Sequence, residues 1–505
     1  MSTDSKSKSL VAFEHVCSLL DFSKHNGLVA DVYDTEDAYL RHILSDTIIK
    51  LGIDAIFFLK PEKYGPCIPL IYFKLLEHPT PSEIAELHKL SWNIGQAPLL
   101  FIVLPDTVQV FNNLEPPREG DGKAGLIDEL NIFSQIEDER KALKKYERAE
   151  FETGNYWRRN IDIFKTNKGI FRMLLKNLDY MRRKLINSGL SPKIVHSILI
   201  RAIFIKYLED RRDRKGYGVF PNGFFNQFRS SANCFTDLLN EKKATYEFFR
   251  KLNDRFNGDI LVVEEEEENT IRQDHLDLLR RMLRGEEYLD TRQMVLWPLY
   301  SFDVIPIELI SSIYEQFFTL KSENQEVLPK GIHYTPYHPV AFLMDEVLPL
   351  SDNSTNIRII DPACGSGIFL VEGYRRLVAR WMKSNHYENP SAFDLIKILR
   401  DNIFGVDKDE KAIRIAALSL YLTICDYLEP KTIWNEVKFE QLVNHNLFDT
   451  DFFNKNTKFT ADKFDLIIGN PPWESELSEP AEKYLKSKNK KVGDRQICRV
   501  PLEGC

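Results

Sequence analysis

The sequence predicts an α/β protein in three parts, with its chemistry gathered in a parallel sheet in the last third. Three observations carry this. The chain has 505 residues, too many for one hydrophobic core. Apolar residues at three- and four-residue spacing dominate residues 126–325, whereas strand and helix patterns alternate on either side. In the last part, two strand-like runs, Ile357–Ile360 and Asn402–Val406, each lead straight into an aspartate.

Taken in order, residues 1–125 read as α/β. Gly52–Leu59 and Pro69–Leu76 are expected strands, and Pro98–Leu104 with Thr107–Phe111 a hairpin across Pro105-Asp106. Glu115–Gly122, rich in Pro and Gly, reads as a linker. Residues 126–325 read as a central helical domain, with Ile170, Met173, Leu174, Leu178 and Met181 on one face and Ser191-Pro192 starting a further helix. The acidic run Glu264–Glu268 reads as a solvated loop. Residues 326–505 read as alternating strands and helices, hence a parallel sheet.

Composition excludes several classes. With 43% hydrophobic and 28% charged residues the chain is ordinary globular material. No apolar run is long enough to span a bilayer and no signal-peptide core opens the chain, so a cytoplasmic protein without membrane contact is expected. The seven cysteines form no Cys-x-x-Cys pair, so neither a zinc ribbon nor a disulfide framework is indicated. A net charge of −8 does not suit a basic coat protein, but a local basic cleft can bind nucleic acid on an acidic protein.

The candidate chemistry lies in three places. Asp361-Pro362-Ala363-Cys364-Gly365-Ser366-Gly367 follows a strand and opens a helix; two glycines let the backbone approach a ligand closely. A tight structural turn would explain the glycines as well. Asp407 ends the next strand, where a carboxylate suits the hydroxyls of a ribose. The two aspartates are 46 residues apart, more than the about 20 of a dinucleotide fingerprint, so the first crossover must hold an extra helix broken at Asn389-Pro390-Ser391. Third, the apolar strand Phe464–Gly469 runs into Asn470-Pro471-Pro472-Trp473. Paired prolines fix the backbone and remove two N–H donors, leaving carbonyls as acceptors. An Asn amide oxygen and a Pro carbonyl can both accept from an exocyclic amine, and Trp473 offers a face for stacking an extruded base. A strand-ending turn with a buried Trp is the plainer alternative.

Together and in this order these motifs resemble amino-methylating DNA methyltransferases of the gamma arrangement, of the type IIG restriction–modification and type I modification-subunit kind. The resemblance implies a Rossmann-like methyltransferase domain over residues 326–505 that binds S-adenosylmethionine. Asp361, Ala363, Cys364, Gly365 and Gly367 would form its loop, Asp407 its ribose acid, and Tyr334, Thr335 and Pro336 the segment at its methionine end. Asn446 falls where the family has a strand-end contact to the cofactor's adenine. Asn470, Pro471, Pro472 and Trp473 would be catalytic, acting on the N6 amine of adenine flipped from double-stranded DNA. A separate specificity or restriction subunit is a further expected partner. The helical zone, through Arg201–Arg211 and Ile313–Phe318, is similar to the domain preceding catalysis in these enzymes.

Type IIG enzymes also carry a nuclease domain in which carboxylates hold Mg²⁺ and a Lys supports attack by water. Asp54 and Lys74 fit that plan and Glu36 could be the helix acid, but Tyr72 stands where the second acid should be. The expectation for residues 1–125 is a degenerate nuclease-like domain, with Mg²⁺ relevant only if it were active.

The sequence ends 32 residues after Trp473, before the last strands and the target-recognition domain of such enzymes. The basic stretch Lys483–Lys491 reads as a solvated loop that could touch phosphate. Gly493–Ile497 resembles a family segment that continues Ala-Phe-Leu-Trp-Lys, and one back-translation from Arg499, read one nucleotide along, gives those residues. A truncated or frameshifted form of a longer enzyme is therefore expected. Two readings compete with a DNA methyltransferase: transfer to an RNA base or a protein glutamine, and a fragment that keeps the cofactor pocket without activity.

Overall fold

A computed structural model describes residues 7–30, 51–59, 68–164, 169–213, 215–284, 287–288, 293–294, 300–305, 337–454, 463–472 and 476–490. Two compact units result, 1–176 with 285–305 and 177–284 with 306–505. The three-part division differs from this in two places. The run after the expected linker is a strand, and the helices beyond residue 177 pack with the last third of the chain.

The first unit is built on six strands in sequence order, β1 (Leu28–Val29), β2 (Ala55–Leu59), β3 (Ile68–Leu75), β4 (Leu99–Val103), β5 (Thr107–Asn112) and β6 (Leu126–Asn131). All neighbours are antiparallel except β3 and β4. A parallel pair needs a crossover, and helix α2 (Pro81–Ile94) supplies it. Thr80 and Glu83 form a capping box at its start and Gly95, left-handed at φ 62°, ends it. Helix α1 (Lys8–Leu20) buries Ala12, Val16 and Leu20 with Phe57, Phe73 and Phe101 in one core. Ile84, Leu87 and Ile94 of α2 join Ile56, Tyr72, Leu100 and Ile102 in a second core. Strand alternation splits β2–β4 between the two cores. β6 was missed as a strand because its edge position leaves only Leu130 buried, which erases the alternation. A ribbon of β7 (Glu287–Tyr288) and β8 (Gln293–Met294) follows later in the chain.

In the second unit a helical layer supports a parallel sheet. Helix α3 (Pro192–Asp210) starts where expected, with the Ser191 hydroxyl accepting the Ile194 N–H. The acidic run is not a solvated loop. It forms α5 (Glu265–Thr270), after α4 (Lys242–Phe256), and Glu267 is 2% exposed. Its carboxylate accepts from both Arg201 Nη1, at 2.6 Å, and Arg201 Nη2, at 3.2 Å. Glu264 pairs with Lys193 and Glu268 with Arg250 on the outside. A run of five like charges thus becomes one buried ion pair flanked by surface ones, because a partner sits on each neighbouring helix.

Four strands, β9 (Ile359–Asp361), β10 (Ile403–Asp407), β11 (Leu447–Asp449) and β12 (Leu466–Ile467), form the sheet in the order β11-β10-β9-β12. All are parallel. Helices α7 (Ile368–Ser384), α8 (Ala392–Asn402) and α9 (Glu410–Asp426) connect them. Ser391 and Asp394 cap α8, so the extra crossover helix lies where Asn389-Pro390-Ser391 placed it. On α7, Arg376 and Glu372 are 2% and 1% exposed and pair at 2.8 Å. Arg376 also reaches Asp345 on α6 (Tyr337–Val347) and the Leu348 carbonyl, fixing α6 against α7. From the helical layer, Arg211 donates to the Asp426 and Leu428 carbonyls, and Asp259 accepts from Tyr421 and the Leu442 N–H.

Removing one partner of a desolvated pair leaves the other charge buried and uncompensated. Glu267→Ala is expected to lower stability by about 3–5 kcal/mol, measured by urea unfolding of the second unit's helical signal; Glu266→Ala, on the exposed side of the same turn, serves as the neutral comparison.

Candidate active site

In the order β11-β10-β9-β12 the chain moves outward in one direction from β9 to β11 and then returns to the other side for β12. The reversal falls between β9 and β12, and open α/β sheets bind ligands beyond the carboxyl ends of the strands at such a point. Two of the three predicted motifs meet there. Asp361 ends β9, and Ile468 N–H bonds the Ile360 carbonyl so that Gly469-Asn470 leaves β12 beside it.

The loop between β9 and α7 is held from three sides. Cys364 N–H donates to the Val406 carbonyl of β10 at 2.9 Å. The Ser419 hydroxyl of α9 donates to the Ser366 carbonyl. Gly367 has φ 85°, which favours glycine, and a Cβ there would crowd the Ala416 Cβ of α9 at 3.0 Å. Asp361, 1% exposed, accepts the Ala363 N–H at 3.0 Å.

Asp407 ends β10 one strand away. Its Oδ2 accepts the Gly365 N–H and its Oδ1 the Asp409 N–H, both at 2.9 Å. Burial pushes its carboxyl above the usual aspartate value, and backbone N–H groups of Asp409, Gly365 and Lys408 pull it part of the way back. A carboxylate has about four lone-pair sites, so with three backbone donors in place about one remains for a donor from the half-exposed side. A glycine loop and a strand-end carboxylate side by side could hold a nucleoside cofactor such as S-adenosylmethionine, with the carboxylate available to ribose hydroxyls. Gly469 ties this loop to the third motif. A Cβ on Gly469 would lie 2.1 Å from Asp361 Oδ1 and 2.8 Å from its Cγ, so the backbone leading into Asn470 rests directly on the Asp361 carboxylate. Asn470, Pro471 and Pro472 are half-buried at that edge. Trp473, and Tyr334, Thr335 and Pro336, lie outside the described residues, as does Glu36.

Asn446 stands elsewhere than expected. It precedes β11 at the strand's amino end and is buried. Its amide donates to the Arg400 and Ile403 carbonyls, at 2.9 and 2.8 Å, locking the turn into β10. The residue at the carboxyl end is the exposed Asp449, in register with Asp407. Its signal was present, for Leu447-Phe448-Asp449 is a third apolar run closed by an aspartate, like those ending at Asp361 and Asp407.

In the first unit, Lys74 Nζ lies 3.2 Å from Asp54 Oδ2, and Asp54 also accepts the Leu75 N–H. Lys74 donates to the Gly52 carbonyl as well. Tyr72 is two residues back along β3 and buried in the second core. Burial holds its phenol neutral, with its pKa pushed up.

Residues 401–499 match the family model described as Eco57I restriction-modification methylase. The chain resembles restriction–modification methyltransferases. It is 25% identical to the type II restriction enzyme and methyltransferase RM.Eco57I of Escherichia coli, over 34% of this chain and 22% of that one. It is 26% identical to the type II methyltransferase M.VspI of Vibrio sp. (strain 343), over 34% of this chain and 31% of that one. It is 34% identical to the adenine-specific methyltransferase BrxX of Escherichia coli O9:H4 (strain HS), over 15% of this chain and 6% of that one. The chain thus spans less than a third of the length of these relatives.

Two outcomes are expected of the site. Gly469→Ala should displace Asp361 from the Ala363 N–H, a bond to a charged acceptor worth about 1.5–3 kcal/mol; S-adenosylmethionine affinity by calorimetry should fall about tenfold or more. Protonation removes acceptor capacity from Asp407, and its pKa is raised, so binding should weaken on acidification at a pH where an ordinary aspartate is still ionised. In Asp407→Asn, the residual binding should no longer follow pH over that range.

Proposed function

We propose that this chain carries the cofactor and catalytic site of a restriction–modification DNA methyltransferase that modifies the N6 amine of adenine. The observation that carries this reading is the contact of Gly469 with Asp361, which sets the Asn470-Pro471-Pro472 run against the glycine loop at the sheet's reversal. The curated relatives, among them one named adenine-specific, support the same reading.

S-adenosylmethionine supplies an electrophilic methyl group when bound. The chain's own residues do the rest. Asp407 accepts the ribose hydroxyls, and the loop Asp361–Gly367 lets the backbone come close. The Asn470 amide oxygen and the Pro471 carbonyl accept the two hydrogens of the target amine, which turns its lone pair toward the methyl donor. As the nitrogen–methyl bond would form and the methyl–sulfur bond break, positive charge would grow on the nitrogen beside two oxygen dipoles already oriented, and the nitrogen's extra proton would leave to water, so the gain comes from orientation and electrostatics. No covalent nucleophile is called for. Trp473 stacks on the flipped base. In the first unit, Asp54 and Lys74 make the remnant of a nuclease centre whose second acid is replaced by Tyr72. A phenol held neutral by burial cannot take the place of a carboxylate on Mg²⁺.

Tritiated S-adenosylmethionine with duplex DNA, RNA or a protein substrate tests the reading. Label is expected in DNA adenine, and Asn470→Ala should lower transfer about a hundredfold or more while leaving cofactor affinity near that of the parent chain. Label confined to RNA or to protein glutamine would overturn the assignment to DNA, and cofactor binding without transfer to any of the three would overturn the assignment as an enzyme.

A further inference from the structure

Asp451 lies in the turn after β11, two residues beyond Asp449, and none of the motifs includes it. It is mostly buried, and three things converge on it. Lys408, the residue after Asp407, pairs with Asp451 Oδ2 at 2.7 Å. The Phe453 N–H bonds Asp451 Oδ1 at 2.9 Å, and the Asn454 N–H bonds the Asp451 carbonyl, so the turn is closed on its own carboxylate. The Ser478 hydroxyl also reaches that carboxylate.

Ser478 is the cap of helix α10 (Glu479–Ser487), accepting the Ala481 N–H at 3.3 Å. The same turn meets α10 a second time, through Phe453 and Tyr484, whose ring centroids are 5.2 Å apart. Burial would raise the Asp451 carboxyl, but Lys408, Ser478 and the Phe453 N–H together hold it below the usual range, so the group stays ionised. The chain between Pro472 and Glu476 is four residue steps, at most about 14 Å. Gly469 lies on Asp361 three residues before Pro472, and Ser478 lies by Asp451 two residues after Glu476.

We propose that Asp451 is a positioning residue, which fixes the start of α10, six residues after the Asn-Pro-Pro run, to the strand end that carries Asp407. The base-binding side of the site is then registered to the cofactor side by a tether outside both motifs. Lys408 stands on the cofactor side and Ser478 on the base side, with Asp451 joining them. The catalytic half of the inference rests on the DNA methyltransferase reading above, whereas the tether itself does not.

The test uses the full chain as the parent protein and as Asp451→Ala, Asp451→Asn and Ser478→Ala, with two readouts. Amide hydrogen exchange over peptides spanning 469–487 should rise about tenfold or more in Asp451→Ala and Ser478→Ala, with peptides of β9 and α7 unchanged. In methyl transfer to duplex DNA, kcat for Asp451→Ala should fall about tenfold or more with cofactor affinity within about twofold. Asp451→Asn, which keeps an acceptor for Ser478 and loses the ion pair, should fall between. Unchanged exchange over 469–487, or a rise shared by β9 and α7, would overturn the tether. Unchanged kcat in Asp451→Ala, with the parent chain active on DNA, would overturn its positioning role. A parent chain that labels no DNA but shows the local exchange change supports the tether and sinks the DNA reading instead.

Discussion

The site depends on a single close approach, that of the Asp361 carboxylate to the backbone of Gly469. Two strands far apart in sequence lie side by side at this point, and the only side chain that fits between them is hydrogen. Asp361 is spent on both: it accepts the Ala363 N–H, which shapes the glycine loop, and it forms the floor under the residue before Asn470. A buried carboxylate is costly unless its lone pairs are met by donors. The loop therefore answers to the aspartate as much as the aspartate to the loop, and neither can shift without the other. The glycines at 367 and 405 have the same character. Gly405 gives room to Leu370, Cys364 and Leu447, so that the loop, its helix and the third strand can close around β10.

Around this point the second unit is stiffened by buried arginines rather than by apolar packing alone. Arg376 joins α7 to α6, Arg380 reaches the Pro349 and Ser354 carbonyls, and Arg201 takes Glu267 in the helical layer. Each guanidinium presents several donors in a fixed plane, so it satisfies carbonyls at the ends of elements that no aliphatic side chain could. The consequence for the site is geometric. Helix α6, which follows directly on the Tyr334-Thr335-Pro336 segment, is tied to the helix that begins at the glycine loop.

Where a residue's place in the fold is set by its neighbours in sequence, that place is legible. The strand-end aspartates, the loop glycines, the crossover break before α8 and the hairpin of β4 and β5 all follow from local pattern, and the structure has them where the pattern put them. Where the role is set by a partner far away, it is not. The acidic run at 264–268 has no local feature that distinguishes a solvated loop from a helix with one buried member; Arg201, 66 residues earlier, decides it. Asn446 falls where the family has a strand-end contact to the cofactor's adenine, but its amide answers to carbonyls at 400 and 403. β6 lost its alternation to its place at the sheet's edge. Asp451 belongs to no motif, and its meaning comes wholly from Lys408 and Ser478.

The strand order also fixes a sequence of events. The bond from Gly365 to Asp407 closes over 42 residues, whereas the pairing of Arg358 with Asp465 that brings β12 to β9 closes over 107. Loop closure costs more entropy as it lengthens, and a ribosome delivers the chain from its amino end. The glycine loop can therefore settle on Asp407 while Asn470 is still unmade, and β12 then docks on a template already in place. A fault in the glycine loop would be inherited by the strand that docks on it, whereas a fault at Gly469 would act back, through Asp361, on a loop that had already formed.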